Sequence, residues 1–396
     1  MALRFLTAGE SHGPGLTIMV DPFPAGVPLS SDAINKDLYR RQQGYGRGGR
    51  QLLEKDKVQF KAGVRFGHST GAPIALFVEN RDFANWQGIM DAEGEANTAK
   101  AFTLPRPGHA DLAAYYKYGY TDLRDALERA SARETAARVA AGGLAKALLN
   151  ACGIEVMAFV SKLGGLPLTP CPQAGSPDAD WEAFGAYVEG NDLRCAATPE
   201  AQQAVRTHID ATRKAGSTLG GEVVCWVQGL PPGLGSHAQW DRKLDGRLAQ
   251  AVMSIQAVKA VALGAGDEGA ELDGSLFHDP IAVSEVGEVF RPQNKAGGLE
   301  GGITNGAPLV LKAQMKPIAT LLKALPSVDL ATGQAADAHF ERSDVTAVPA
   351  CAVVVEAMVA LVLADALMEK FGQDCLVDIA ANLATYRARL KPPPQA

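Results

Sequence analysis

The sequence predicts an α+β fold built as one large domain, and three observations carry that expectation. Segments of strand character come in groups, and so do segments of helix character, without the regular alternation that a doubly wound sheet imposes. The chain has 396 residues, 47% of them hydrophobic, enough to bury a sizeable core. No linker offers a cut, so residues 1–396 are read as a single unit, with a frayed tail at 392–396.

Taken in order, residues 3–20 read as a strand, a Gly-rich loop and a second strand that begins at Leu16. Pro22, Pro24 and Pro28 mark loops, and Ser30, Ser31 or Asp32 caps a short helix through Arg41. Residues 44–49 are a flexible basic loop. Residues 58–64 and 73–78 are strands of a meander, with Gly67 and Gly71 in the turn. Residues 91–101 are polar and expected to be exposed. The strongest helix signal covers residues 131–149. There Ser131 and Glu134 have capping-box spacing, and Ala136, Val139, Ala140, Gly143, Leu144, Ala147 and Leu148 recur at helical intervals. That face is rich in Ala and Gly, which permits close approach of a neighbouring backbone. Residues 170–200 read as irregular surface, 221–227 as a strand and 244–261 as a second helix. A Gly-rich stretch, 264–306, follows. Pro349 and Gly372 bracket a C-terminal apolar helix.

Composition excludes several classes. A formal charge of −6 and an aromatic content of 6% argue against nucleic-acid binding. The N-terminus carries no basic segment followed by a long apolar run, so no signal peptide is expected. Glu356 and Asp365 interrupt the most apolar stretch, 348–368, which therefore reads as a buried helix and not a membrane span. Cys152, Cys171, Cys195, Cys225, Cys351 and Cys375 form no Cys-x-x-Cys pair, so neither a disulfide scaffold nor a metal site is expected, and a reducing cytoplasm is the default.

Charge is locally uneven. Between Lys36 and Arg65 stand nine bases (Lys36, Arg40, Arg41, Arg47, Arg50, Lys55, Lys57, Lys61, Arg65) against Asp37, Glu54 and Asp56. A solvated basic face is the plain reading. Two features favour an anion site: several arginines lie among glycines, where backbone can also approach a ligand, and others lie at a helix start.

Four short constellations carry chemistry. In Gly9-Glu10-Ser11-His12-Gly13-Pro14-Gly15 a histidine between glycines can face a ligand, with a hydroxyl beside it; a plain turn is the alternative. In Arg106-Pro107-Gly108-His109-Ala110-Asp111 a fixed loop projects Arg106 and His109, and Asp111 either orients the ring or caps the turn. In Arg129-Ala130-Ser131-Ala132-Arg133-Glu134-Thr135 forked donors meet the free amides of a helix start, and Glu134 reads as a cap. In Arg342-Ser343-Asp344-Val345-Thr346 the aspartate is either a turn residue or a poised carboxylate. Gly-rich residues 294–306 and Lys316-Pro317-Ile318-Ala319-Thr320 suit a flat ligand and equally suit ordinary turns. No Gly-x-x-x-x-Gly-Lys-Ser/Thr loop is present, so any phosphate would be held by arginines and a helix start.

Read together and in this order, these segments resemble the chorismate synthase family over residues 5–371. The loop Gln43-Gly44-Tyr45-Gly46-Arg47-Gly48 resembles the monofunctional type, which relies on an external flavin reductase, with NADPH only indirectly the reductant. The resemblance implies antiparallel β-sheets sandwiching central α-helices, a homotetramer, and a reduced-FMN-dependent lyase in aromatic amino acid biosynthesis. That lyase eliminates phosphate from 5-enolpyruvylshikimate 3-phosphate. It further implies His12, His109, Asp344, Ser11 and Ser131 as catalytic residues. Arg41, Arg47, Arg106, Arg133 and Arg342 are the implied substrate-binding residues. The implied flavin contacts are Arg129, Ala130, Ser131, Gln256, Ala257, Gly301, Lys316, Pro317, Ile318, Ala319, Thr320 and Arg342. Gln256 and Ala260 depart from the proline and glycine that the family pattern leads one to expect. Two other classes compete: an NADPH-consuming flavin oxidoreductase, and a non-catalytic anion- or RNA-binding protein using the basic segment.

Overall fold

The computed structural model describes residues 3–48, 55–95, 97–169, 181–285, 287, 289–338 and 344–390. The alternation Leu16, Ile18, Val20 makes β2 (Gly15–Asp21) amphipathic, and it pairs antiparallel with β1 (Arg4–Ala8). After α1 (Ser31–Gln42) the meander follows as β3 (Val58–Ala62) and β4 (Ile74–Glu79). The order is β1-β2-β4-β3, every pair antiparallel. Register places Leu16, Ile18 and Val20 opposite Val78, Leu76 and Ile74, so one face of the sheet is a continuous apolar surface.

That face lies on helices. Two short ones, α2 (Asp111–Tyr118) and α3 (Arg124–Ala130), lead into α4 (Thr135–Ala151). A second sheet follows from β5 (Glu155–Leu163), β6 (Gly221–Gln228), β7 (Val258–Leu263) and β8 (Leu309–Met315), in the order β7-β8-β6-β5, extended by a short strand at Leu166–Pro167. Between β5 and β6 run α5 (Trp181–Glu189) and α6 (Pro199–Lys214); α7 (Leu244–Met253) precedes β7. The C-terminal pair is α8 (Val348–Phe371) and α9 (Leu376–Arg389). Helices α1, α4, α7 and α8 fill the space between the sheets, as the family resemblance implied, and one apolar core runs from Leu3 to Leu383. On the far side of the second sheet, Trp181 and Phe184 of α5 cover Phe159, Val224, Trp226 and Val310.

Helix α8 is long and apolar enough to cross a bilayer, but 94% of its most apolar window is buried between the sheets. Pro349 stands at its first turn and Gly372 just past its end, as the sequence predicted.

The structure corrects three local expectations. The helix expected over 244–261 stops at Met253, and Val258–Leu263 is a strand, because Ala257 takes a left-handed φ of 69° that turns the chain onto the sheet edge. The capping box does not form. The Ser131 hydroxyl accepts from the Arg133 amide at 3.2 Å, while the Glu134 carboxylate accepts from Thr7, Gln256 and Arg138. Residues 181–189 are helix within a stretch expected to be irregular; residues 170–180, like the tail at 391–396, lie outside those described.

Candidate active site

The loop between β1 and β2 presents His12, and α3 supplies its partner. The Glu128 carboxylate accepts from the His12 backbone N–H at 2.8 Å and from Nδ1 at 2.8 and 3.0 Å. Arg124, one turn earlier on α3, bonds the same carboxylate at 3.1 Å. Burial alone would raise Glu128, but its bonds from His12 and the Arg124 charge hold it below the usual glutamate range. Trp86 stacks on the imidazole with ring centroids 3.9 Å apart, and the Lys100 ammonium lies 3.7 Å from the Trp86 ring centre. Ser11 and Ser131 meet hydroxyl to hydroxyl at 3.1 Å.

Asn80, just past β4, knits this loop to the arginines. Its amide nitrogen donates to the carbonyls of Glu10 and Gly13 at 3.0 and 2.8 Å, and its oxygen accepts from Arg133 Nε at 2.8 Å. Arg133 in turn pairs with Asp56 at 2.7 Å, and Arg41 reaches the same carboxylate at 3.0 Å and Thr135 at 3.2 Å. Next to them Arg47 pairs with Asp344 at 2.8 Å, and the other Asp344 oxygen accepts from the Gly48 amide. Burial pulls the Arg47 guanidinium below its usual range; Asp344 opposes that fall and Arg41 adds to it. Arg41 Nε and Arg47 Nε are both buried with no hydrogen-bond partner among the described residues. Among the described residues, then, the cluster has more guanidinium donors than acceptors.

The basic loop is not loose, as the sequence had suggested. Over residues 44–48 the Tyr45 hydroxyl donates to Asp210 of α6 at 2.8 Å, its amide donates to the Asp192 carbonyl, and Val345 donates to the Gly46 carbonyl. A Cβ on Gly46, at φ 92°, would meet Thr346 and Ile209 within about 3 Å, so glycine permits the close seat. The basic segment divides: Arg40, Arg41 and Arg47 are turned inward and paired, while Lys36, Lys55, Lys57, Lys61 and Arg65 are exposed.

A second histidine centre lies at the start of α2. Asp111, fully buried, accepts from His109 Nδ1 at 2.6 Å, from Arg106 Nε at 2.8 Å and from the Arg106 amide at 3.0 Å. Despite the cost of burial, these bonds from His109 and Arg106 hold Asp111 far below the usual aspartate range. The Arg106 guanidinium is thus taken up by Asp111 through Nε and a terminal nitrogen. Lys316, directly after β8, donates to the Gly108 carbonyl, which brings residues 316–320 to this loop. One segment joins the two centres, from Lys100 over Trp86 to Asp111 under His109.

Of the remaining candidates, Arg129 donates to the Thr7 carbonyl at 2.9 Å, and Gln256 Nε2 donates to Glu134 at 3.0 Å, which itself accepts from Thr7 at 2.8 Å. These bonds gather both residues at the end of β1. Gln256 Oε1 is buried without a hydrogen-bond partner among the described residues. Ala130 closes α3, and the Ile318 carbonyl accepts from Thr218 at 2.8 Å. Gly301 sits at an exposed hairpin tip, and no hydrogen bond among the described residues ties it to either centre. Arg342 lies outside the described residues. Sequence reading missed Glu128, Asn80, Asp56, Thr135 and Trp86. Each comes from a separate segment, and the only local signal was the Arg124/Glu128 helical spacing.

The sequence profile of the family described as chorismate synthase matches residues 3–368. Curated chorismate synthases from Moorella thermoacetica, Aquifex aeolicus and Thermus thermophilus are 54, 49 and 50% identical. Each alignment covers 98% of this chain and at least 98% of the relative. A crystal structure of chorismate synthase superposes with a TM-score of 0.79 at 40% identity, covering 98% of both chains.

Proposed function

Because the chain belongs to the chorismate synthase family, we propose that it eliminates phosphate from 5-enolpyruvylshikimate 3-phosphate to give chorismate, with reduced FMN bound. The observation that carries the reading is the Arg41–Arg47–Arg133 cluster beside the His12 loop, where two Nε groups have no hydrogen-bond partner among the described residues and an anion would supply one. A substrate with one phosphate and two carboxylates supplies such anions.

In the elimination the allylic C–O bond breaks, its electron pair leaves with phosphate, and a ring proton is lost from the opposite face. His12 donates a proton to the departing phosphate, with Ser11 and Ser131 ordering the groups around it. Arg41, Arg47 and Arg133 hold the substrate anions, and Asp344 is the carboxylate assigned to removal of the ring proton. His109, backed by Asp111, steadies negative charge on the reduced flavin. The residues fit that cofactor: Gln256 Oε1 is a buried acceptor with no donor among the described residues, and Lys316 adds a cation at the His109 loop. Arg129, Ala130, Ser131, Ala257 and residues 316–320 complete the set that would hold it, with Gly301 and Arg342 carried from the family pattern. When bound, reduced FMN would supply electron density to the allylic system with no net redox change. An external flavin reductase, a homotetramer and a cytoplasmic site of action belong to the same reading.

Anaerobic turnover with the phosphorylated enolpyruvyl substrate and photoreduced FMN tests this. Phosphate and chorismate should appear in equal amounts without further reductant. NADPH consumption in proportion to product would replace the reading with a flavin oxidoreductase.

A further inference from the structure

The group behind His12 does more than fill space. Glu128 is 2% exposed and sits on a short helix, where a glutamate four residues after an arginine ordinarily makes a solvated pair. Here the whole residue is committed to the histidine loop. Its backbone carbonyl accepts from the Ser11 amide at 3.1 Å, one carboxylate oxygen accepts from the His12 amide at 2.8 Å, and the ring Nδ1 lies 2.8 Å from the other. Holding backbone and ring together fixes the side-chain torsions of His12. Trp86, stacked 3.9 Å away at 25°, blocks rotation of the ring plane.

We propose that Glu128 is the positioning residue of His12: it keeps a proton on Nδ1, so that Nε2 is the atom that gives up and regains the catalytic one. The inference rests on the reading of His12 as the acid for phosphate departure. Its chemistry follows from donor and acceptor types. An ionised carboxylate only accepts, so Nδ1 must donate. Glu128 is held ionised by His12 and Arg124 despite its burial. When Nε2 passes its proton to a phosphate oxygen, the ring becomes neutral and keeps its Nδ1–H on Glu128. It is then the tautomer ready to be reprotonated at Nε2. The charged groups around the ring are Glu128 and Arg124 on α3, and Lys100 against Trp86 on the preceding segment. Through Asn80, Arg133 and Asp56 follow. Of these, only Glu128 touches the imidazole with a negative charge.

The test uses the full chain with the variants Glu128→Gln, Glu128→Ala and Glu128→Asp. Nitrogen-15 NMR of the histidines, assigned with His12→Ala, reads the tautomer directly and needs no turnover. Wild type should show the Nδ1–H form of His12, and Glu128→Ala should show a mixture of the two forms. Single-turnover phosphate release supplies the second readout. A carboxylate beside imidazole favours the protonated ring, so in Glu128→Gln the alkaline limb of the rate profile should move to lower pH. The rate should fall about tenfold or more, within the range of a disturbed general acid, while KM stays within about threefold and Glu128→Asp recovers part of the loss. A wild-type tautomer in Glu128→Ala, or an unmoved pH profile in Glu128→Gln, overturns the proposal. Should wild type release no phosphate at all, the elimination reading fails, and the NMR still decides whether Glu128 sets the tautomer.

Discussion

Arg40 and Arg41 follow one another at the end of α1 yet answer to different parts of the molecule. Arg40 bonds Asp37, Glu189 and Glu356 in the core, whereas Arg41 turns to Asp56 and Thr135 at the candidate site. The same division separates the two arginines expected to bind substrate most directly. Arg47 pairs with Asp344 at the rim of the cluster, while Arg133 holds both Asp56 and Asn80. Arg47→Ala should therefore act on binding. Loss of a charge-assisted hydrogen bond is worth about 1.5–3 kcal/mol, so KM should rise about tenfold or more with the melting temperature little changed. Arg133→Ala should also lower the melting temperature, because Asp56 is left with Arg41 alone and the Asn80 tether to the histidine loop is cut. Steady-state kinetics and thermal melts on the same samples check both. Equal melting temperatures in the two variants would show that Arg133 is not structural.

Between elements, the contact that sets the inner layer is α4 against α8. A Cβ on Gly142 would lie 2.4 Å from the Ala357 Cβ, and one on Gly143 would lie 2.8 Å from Ile34 of α1. The two glycines thus let α4 approach two neighbours at once. Gly142→Ala should cost about 1–3 kcal/mol through overpacking that rigid helix backbones cannot relieve. Gly246, inside α7 and exposed, has open space around its Cβ position and an ordinary φ. Gly246→Ala should stabilise by up to about 1 kcal/mol, since only helix propensity changes. Urea unfolding of both variants reads the opposite signs. A neutral Gly142→Ala would mean that the helices separate more easily than their packing suggests.

Across the whole molecule, buried carboxylates tie the layers together. Glu356, in the middle of apolar α8, bonds Arg40 of α1 at 2.9 and 3.0 Å, Lys146 of α4, and the Ala158 amide of β5 at 3.2 Å. Burial works against its charge, yet Arg40 and Lys146 hold it well below the usual glutamate range. Asp56, Asp111, Glu128, Glu134 and Glu189 are depressed in the same way, by cations and donors that outweigh burial. A depressed folded-state carboxyl contributes stability that is fully present above its unfolded value, about 4, and is lost as pH falls through the lower folded value. Urea midpoints should therefore be level from about pH 8 to 5 and fall steeply below about pH 4. Glu356→Gln should lower neutral stability by about 3 kcal/mol or more, because Arg40 and Lys146 lose a buried counter-charge. It should also flatten the acid limb. An acid limb unchanged in that variant would remove Glu356 from the set responsible.

The sequence alone determined whatever depends on local periodicity and on short ordered motifs. It gave the alternating strands β2 and β4, the Ala/Gly-rich helix α4, the bracketed helix α8, and both histidine loops with their neighbouring arginines. Neither side of the site that depends on distant pairing was legible. Glu128 behind His12 is 116 residues away, Asp56 beneath Arg133 is 77 away, and Asp344 beside Gly48 is 296 away. Glu134 carried a local signal for capping and instead accepts from Arg138 one turn on and from distant Thr7 and Gln256, which together offer a buried carboxylate more donors than one free amide can. Ala257 likewise turned a helical pattern into a strand by a left-handed backbone that its own side chain does not favour. Tertiary structure decided these points because a charge or donor is satisfied by whatever the packed layers bring within hydrogen-bond reach, and that choice leaves no mark on the spacing of residues along the chain.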